Sequence, residues 1–147
     1  MTREAEQTAR EGQAAPPEAS AKLTDPDWTS DVETERRPGI SAEISNAMVG
    51  LKKEFYGRGP TKARTFINEN YILCVLQGGL TRNEETLLAA GEEHLVRSYR
   101  LRFQEVMADA TTEAIERITG RKVLGYHSQI TFNPEHGFEI FVLDQPL

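Results

Sequence analysis

The sequence predicts an α+β domain of two layers, with a four-stranded antiparallel sheet carrying its helices on one face in the order helix–hairpin–helix–hairpin (αββαββ). Three observations predict it. Apolar residues recur at spacings of three and four over segments 41–56 and 81–119, the period of a helix that buries one stripe. Two pairs of short apolar runs, 62–67 with 71–77 and 122–132 with 137–143, are separated by turn-forming residues and read as hairpins. Both helical segments end in Gly-Arg (Gly57-Arg58 and Gly120-Arg121) immediately before a strand, which suggests two αββ half-units.

The elements follow in order. Ser41 is a good N-cap for a first helix, whose stripe is Ile44, Met48, Leu51 and Phe55. Gly57 ends that helix, at the position where a left-handed residue commonly caps one. Lys62 to Ile67 alternates as a strand, "NEN" at 68–70 is turn chemistry, and Tyr71 to Gln77 is an apolar second strand broken by Gly78-Gly79. Thr81 and Glu84 form a capping box, with Leu80 placed as a staple. One long helix then runs to Gly120, with Leu88, Leu95, Tyr99, Phe103, Val106, Ala110, Ala114 and Ile118 on its apolar face. Gly91 is its weak point, since glycine disfavours a helix interior by ~1 kcal/mol. The second hairpin closes the domain through "NPEHG" at 133–137. So long a helix overhangs so small a sheet, and surplus apolar length of that kind predicts a homodimer.

The chain has 147 residues, enough for one domain with its own core. Residues 1–38 hold four of the seven prolines, nine acidic and five basic residues and a single aromatic, Trp28 in "DPDW". That composition predicts a disordered, acidic leader ahead of a single domain at 39–147. Net charge is −6, from 17 basic and 23 acidic residues, which argues against a general nucleic-acid binder. The longest apolar run, Tyr71 to Leu76, is far short of the roughly 20 residues that span a bilayer. With no signal pattern at the N-terminus, the expected location is the cytoplasm, without membrane insertion.

Chemistry is sparse. "YGRGPTK" has the glycines and lysine of a phosphate cradle, but it runs helix–loop–strand, so its amides follow the negative end of a helix dipole. Gly57, Gly59, Pro60 and Thr61 therefore read as a turn, as do Gly78 and Gly79 after the second strand. Arg58, Lys62 and Arg64 remain as a candidate binding cluster for a small anion, a nucleotide or an acidic partner. Lys62 and Arg64 share a side of their strand. Arg97 and Arg100, with Glu93, read as ordinary surface pairing. Cys74, inside an apolar run, reads as core. His94, His127 and His136 fall in no metal-ligand spacing, and His136 reads as an exposed turn residue. No catalytic constellation, metal or cofactor is predicted; an enzyme would need residues from separate elements, such as His127 with Glu139.

With these elements placed, residues 40–144 resemble the MpsC-like domain family, a bacterial family long without an assigned function. "YGRGPTKART" at 56–65 carries most of the resemblance, supported by "LQGGLT" at 76–81, "FQEVM" at 103–107, "TGRKV" at 119–123 and the closing "FEIFVL". Gly57, Arg58, Gly59, Pro60, Thr61, Lys62, Arg64, Gly78 and Gly79 match the family motif. In "HSQITF" at 127–132, Gln129 stands where the family resemblance leads one to expect an acidic residue. The resemblance implies an accessory or regulatory protein of a sodium-linked membrane-potential-generating system associated with inorganic-carbon uptake. It implies a protein partner at the inner face of the membrane and no catalytic residue.

Overall fold

The computed structural model describes residues 39–147. The predicted leader and Trp28 lie outside the described residues. Helix α1 spans Ile40–Tyr56, β1 Lys62–Asn68, β2 Tyr71–Gln77, α2 Arg82–Ala89, α3 Glu93–Thr119, β3 Val123–Thr131 and β4 His136–Leu143. The four strands form one sheet in the order β1-β2-β4-β3, antiparallel throughout. Each hairpin thus meets the other through its second strand, as two αββ halves would. All helices that touch the sheet lie on one face of it.

Two details differ from the sequence reading. The predicted long helix is two helices, broken where Gly91 takes a left-handed φ of 81°. The capping box at Thr81–Glu84 is present, but it starts only the eight-residue α2. The first helix begins two residues early, with Gly39 at φ 95° as its N-cap, so Ser41 lies inside it and caps nothing. Gly57 does end α1 with φ 80°, its amide donating to the Lys53 carbonyl.

The buried side of α3 also differs from the predicted stripe. Val96, Arg100, Gln104, Met107, Thr111, Ala114, Ile115 and Thr119 face inward. Leu95, Tyr99 and Val106 stay exposed, Val106 by 73%. The apolar stripe read from 95 to 110 is real, but it sits beside the buried face rather than on it. Arg100 and Gln104 hold the inward positions because partners there satisfy them.

The core is formed by Ile40, Ile44 and Met48 of α1, Ile72, Cys74 and Leu76 of β2, Ala114 and Ile115 of α3, and Phe141 and Leu143 of β4. Burial pushes the Cys74 thiol up to about 11, consistent with an inert core residue. A smaller cluster of Leu80, Val96 and Ile130 seats α2 and the start of α3. The turn motifs pack on each other. Gly78 has φ 80°, and a Cβ on it would lie 2.2 Å from Thr61 Oγ1, while Gly79 lies against Pro60.

Candidate functional site

The helices and the sheet meet around a set of buried polar residues beside the core. On α1, Lys52 follows Ile40, Ile44 and Met48 at a spacing of four on the buried stripe, one position past the expected Leu51, which brings its ammonium under the sheet. There Nζ pairs with Glu139 Oε1 at 2.7 Å, with side chains 8% and 2% exposed. Glu139 is the inward residue between Phe138 and Ile140 on β4. Its other contacts are the Tyr126 hydroxyl, 2.6 Å from Oε2, and Ser128 Oγ, which donates to Oε1 at 3.1 Å. Burial lowers the Lys52 pKa from its ordinary value, and Glu139 only partly opposes that.

The Tyr126 hydroxyl also lies 2.8 Å from the Gln104 side-chain amide, which reaches the Tyr56 hydroxyl at 3.4 Å. A phenol carries one proton and gives it to the better acceptor, the carboxylate. Gln104 Oε1 faces the Tyr126 hydroxyl, and Gln104 Nε2 donates to the Tyr56 hydroxyl. Burial, and then the Glu139 charge, raise the Tyr126 pKa well above the ordinary tyrosine range.

A second pair lies alongside. Arg100 donates from Nε and Nη2 to both oxygens of Glu84, each at 2.5 Å, and from Nη2 to the Gly79 carbonyl at 2.9 Å. Its guanidinium lies over the Tyr56 ring at 4.1 Å, and Lys52 approaches the same ring at 5.6 Å. Burial alone would raise the Glu84 pKa; hydrogen bonds from Arg100 and Thr81 outweigh it and hold the carboxyl below its ordinary value. Glu84 thus caps α2 and anchors α3 with one side chain.

A cavity of about 30 Å³, the size of one or two waters, opens beside these groups. Lys52, Arg100, Gln104, Ser128, Glu135 and Glu139 contribute to its wall, together with Pro60 and Gly79 of the turn motifs. Glu135 accepts the Gly79 amide at 3.2 Å. Each buried cation faces a carboxylate, so the site is balanced in charge. Its groups are placed to hold α1, α2, α3, β3 and β4 in register.

Sequence reading missed most of this site. Lys52, Glu84, Arg100, Gln104 and Glu139 carried a signal in retrospect: each occupies an inward-facing position of a helix or strand. Arg100 is not a surface pairing residue, whereas Arg97 does pair with Glu93 across one helical turn at 3.1 Å. His136 is half-buried rather than exposed, 2.5 Å from the Gln77 amide nitrogen. His127 and Glu139 point to opposite faces of the sheet, since His127 aligns with Ile140 and Ser128 with Glu139.

The candidate cluster is divided. Arg58 pairs with Glu85 of α2 at 3.0 Å, both exposed. Lys62 and Arg64 lie on the outer face of the sheet, with the Arg64 guanidinium 5.7 Å from the Phe66 ring. Among the described residues no helix packs on that face. Its rows run Arg64, Val75, Phe138, Gln129, then Phe66, Leu73, Ile140, His127, then Asn68, Tyr71, Val142, Gly125. No Asp or Glu occurs at any outward strand position, in a chain with 23 acidic residues.

The fold and this site define a two-layer α+β domain with a paired polar interior and a sheet whose outward strand positions carry no carboxylate. Among the described residues no helix is long and apolar enough to cross a membrane. The family model described as "Na+-translocating membrane potential-generating system (MpsC)" matches residues 37–145, and the chain belongs to that family. Two Bacillus subtilis proteins are similar to it, and both are uncharacterised. YrhF is 26% identical over 107 residues, covering 71% of this chain and 88% of YrhF. YbcI is 28% identical over 105 residues, covering 71% of this chain and 85% of YbcI. No solved structure matches.

Proposed function

We propose that this protein is a non-catalytic accessory or regulatory component of a Na⁺-translocating, membrane-potential-generating system, linked to inorganic-carbon uptake, and that it works at the inner face of the membrane by docking a protein partner on its open sheet face. The observation that carries this reading is the composition of that face. Its two central strands present Tyr71, Leu73, Val75, Phe138, Ile140 and Val142 outward, and the β1 edge adds the basic Lys62 and Arg64. Such a surface suits an apolar partner patch rimmed with acidic residues. The mostly aliphatic central strands favour a protein over a nucleic acid, which would be bound on stacking aromatics. The alternative, a small anion or nucleotide held by Arg58, Lys62 and Arg64, is weakened by the engagement of Arg58 with Glu85. The family description supports the kind of partner, a subunit of the ion-translocating complex.

The test is affinity purification of tagged protein after gentle crosslinking in the native host, comparing wild type with a Lys62→Ala/Arg64→Ala variant of unchanged melting temperature. The expected result is recovery of ion-translocating membrane subunits with wild type and their loss with the variant. Equal recovery from both would remove Lys62 and Arg64 from the contact and the proposal with them.

A further inference from the structure

A second unpartnered surface lies on the far side of the molecule. Helix α3 has 27 residues and extends about 40 Å, against about 23–30 Å for strands of seven to nine residues. Its inward stripe is polar at Arg100 and Gln104, yet a separate stripe of Leu95, Tyr99, Phe103, Val106 and Ala110 runs along its flank. Leu95 is 50%, Tyr99 48% and Val106 73% exposed, and Phe55 on the neighbouring α1 is 39% exposed. Aromatic rings join the helices here: Tyr56 meets Phe103 at 4.4 Å between centroids, and Phe103 meets Tyr99 at 5.6 Å. Half of the exposed large apolar residues of the domain belong to this one patch. Solvent exposure of so continuous a patch marks an interface.

We infer that this surface takes a second copy of the chain, α3 against α3 and antiparallel about a two-fold axis near Phe103. The stripe is complementary to itself in that arrangement. Residues whose numbers sum to about 206 face each other. Phe103 then meets its own copy, Tyr99 meets Val106, and Leu95 meets Ala110. The charges bordering the stripe match as well: Arg102 of each copy faces Glu105 of the other. Those two residues are 3.1 Å apart within one helix and highly exposed, so they exchange partners at no cost in burial. This inference is independent of the proposed partner on the sheet.

The experiment is sedimentation velocity of the full chain over a concentration series, with three sets of variants. Wild type is expected to give twice the 16.5 kDa chain mass. Val106→Glu should weaken association tenfold or more while leaving the circular dichroism and melting of the folded unit in place. Arg102→Glu and Glu105→Arg should each weaken it, and the double charge swap should restore it, a readout specific to the antiparallel register. Ile140→Glu on the sheet should leave the mass unchanged. A monomeric wild type at every concentration overturns the inference. So does a dimer that survives Val106→Glu or is lost with Ile140→Glu.

Discussion

At Glu139 the chain places a carboxylate where its neighbours are Phe141 and the core, and both of its oxygens are engaged, Oε1 by Lys52 and Ser128 and Oε2 by Tyr126. Removing one member of a buried pair leaves the other charge without a partner. Glu139→Ala is therefore expected to destabilise the fold by about 3–5 kcal/mol, whereas the paired change Lys52→Met/Glu139→Leu should cost little or stabilise it. Urea unfolding of the single and double variants measures both, and a double variant as unstable as the single one would show that the pair is needed for itself. Glu84 adds a pH dependence. Its folded pKa lies below the ordinary 4.5, so its contribution is fully present above that value and is lost as pH falls through the folded one. Glu84→Gln should flatten that part of the acid limb in a melting-temperature profile. Lys52 runs the other way. Burial lowers its pKa, the unfolded chain binds more protons between the lowered value and 10.5, and stability rises with pH across that window.

At the scale of elements, local signals carried far. Both hairpins, the glycine that ends α1 and the capping box of α2 are dictated by neighbours in sequence, and the structure has all of them. The paired polar interior was not legible, because nothing within a helix shows that Arg100 will meet Glu84, sixteen residues earlier, or that Lys52 will meet Glu139 across the sheet. The spacing of Leu95, Tyr99, Phe103 and Val106 was visible, but periodicity reports that a face is apolar and not what covers it. The break at Gly91 is partly a matter of conformation: a left-handed φ of 81° suits glycine and strains other residues. The turn glycines differ in kind. Gly57→Ala meets open space and carries only the strain of its φ, about 1–2 kcal/mol, while Gly78→Ala also drives a methyl into Thr61. Thermal melts should therefore rank Gly78→Ala as the more damaging. Equal losses would mean that the two turn motifs do not pack as tightly as Gly78 and Thr61 indicate.

The whole molecule has two sides with different compositions. One presents a row of apolar strand residues bordered by Lys62 and Arg64, and the other a helix flank with its own mirror-matched charges. Between them lies an interior whose ions are neutralised in pairs and whose cavity is about 30 Å³, small for a substrate. The most direct measurement is site-specific photocrosslinking in the native host, with the reactive side chain placed at position 138 on the open sheet and, separately, at position 106 on α3. Position 138 is expected to capture a membrane subunit of the ion-translocating system, and position 106 a second copy of this chain. Capture of only a second copy at position 138, or of no protein there while position 106 dimerises, would contradict the docking role of the sheet face.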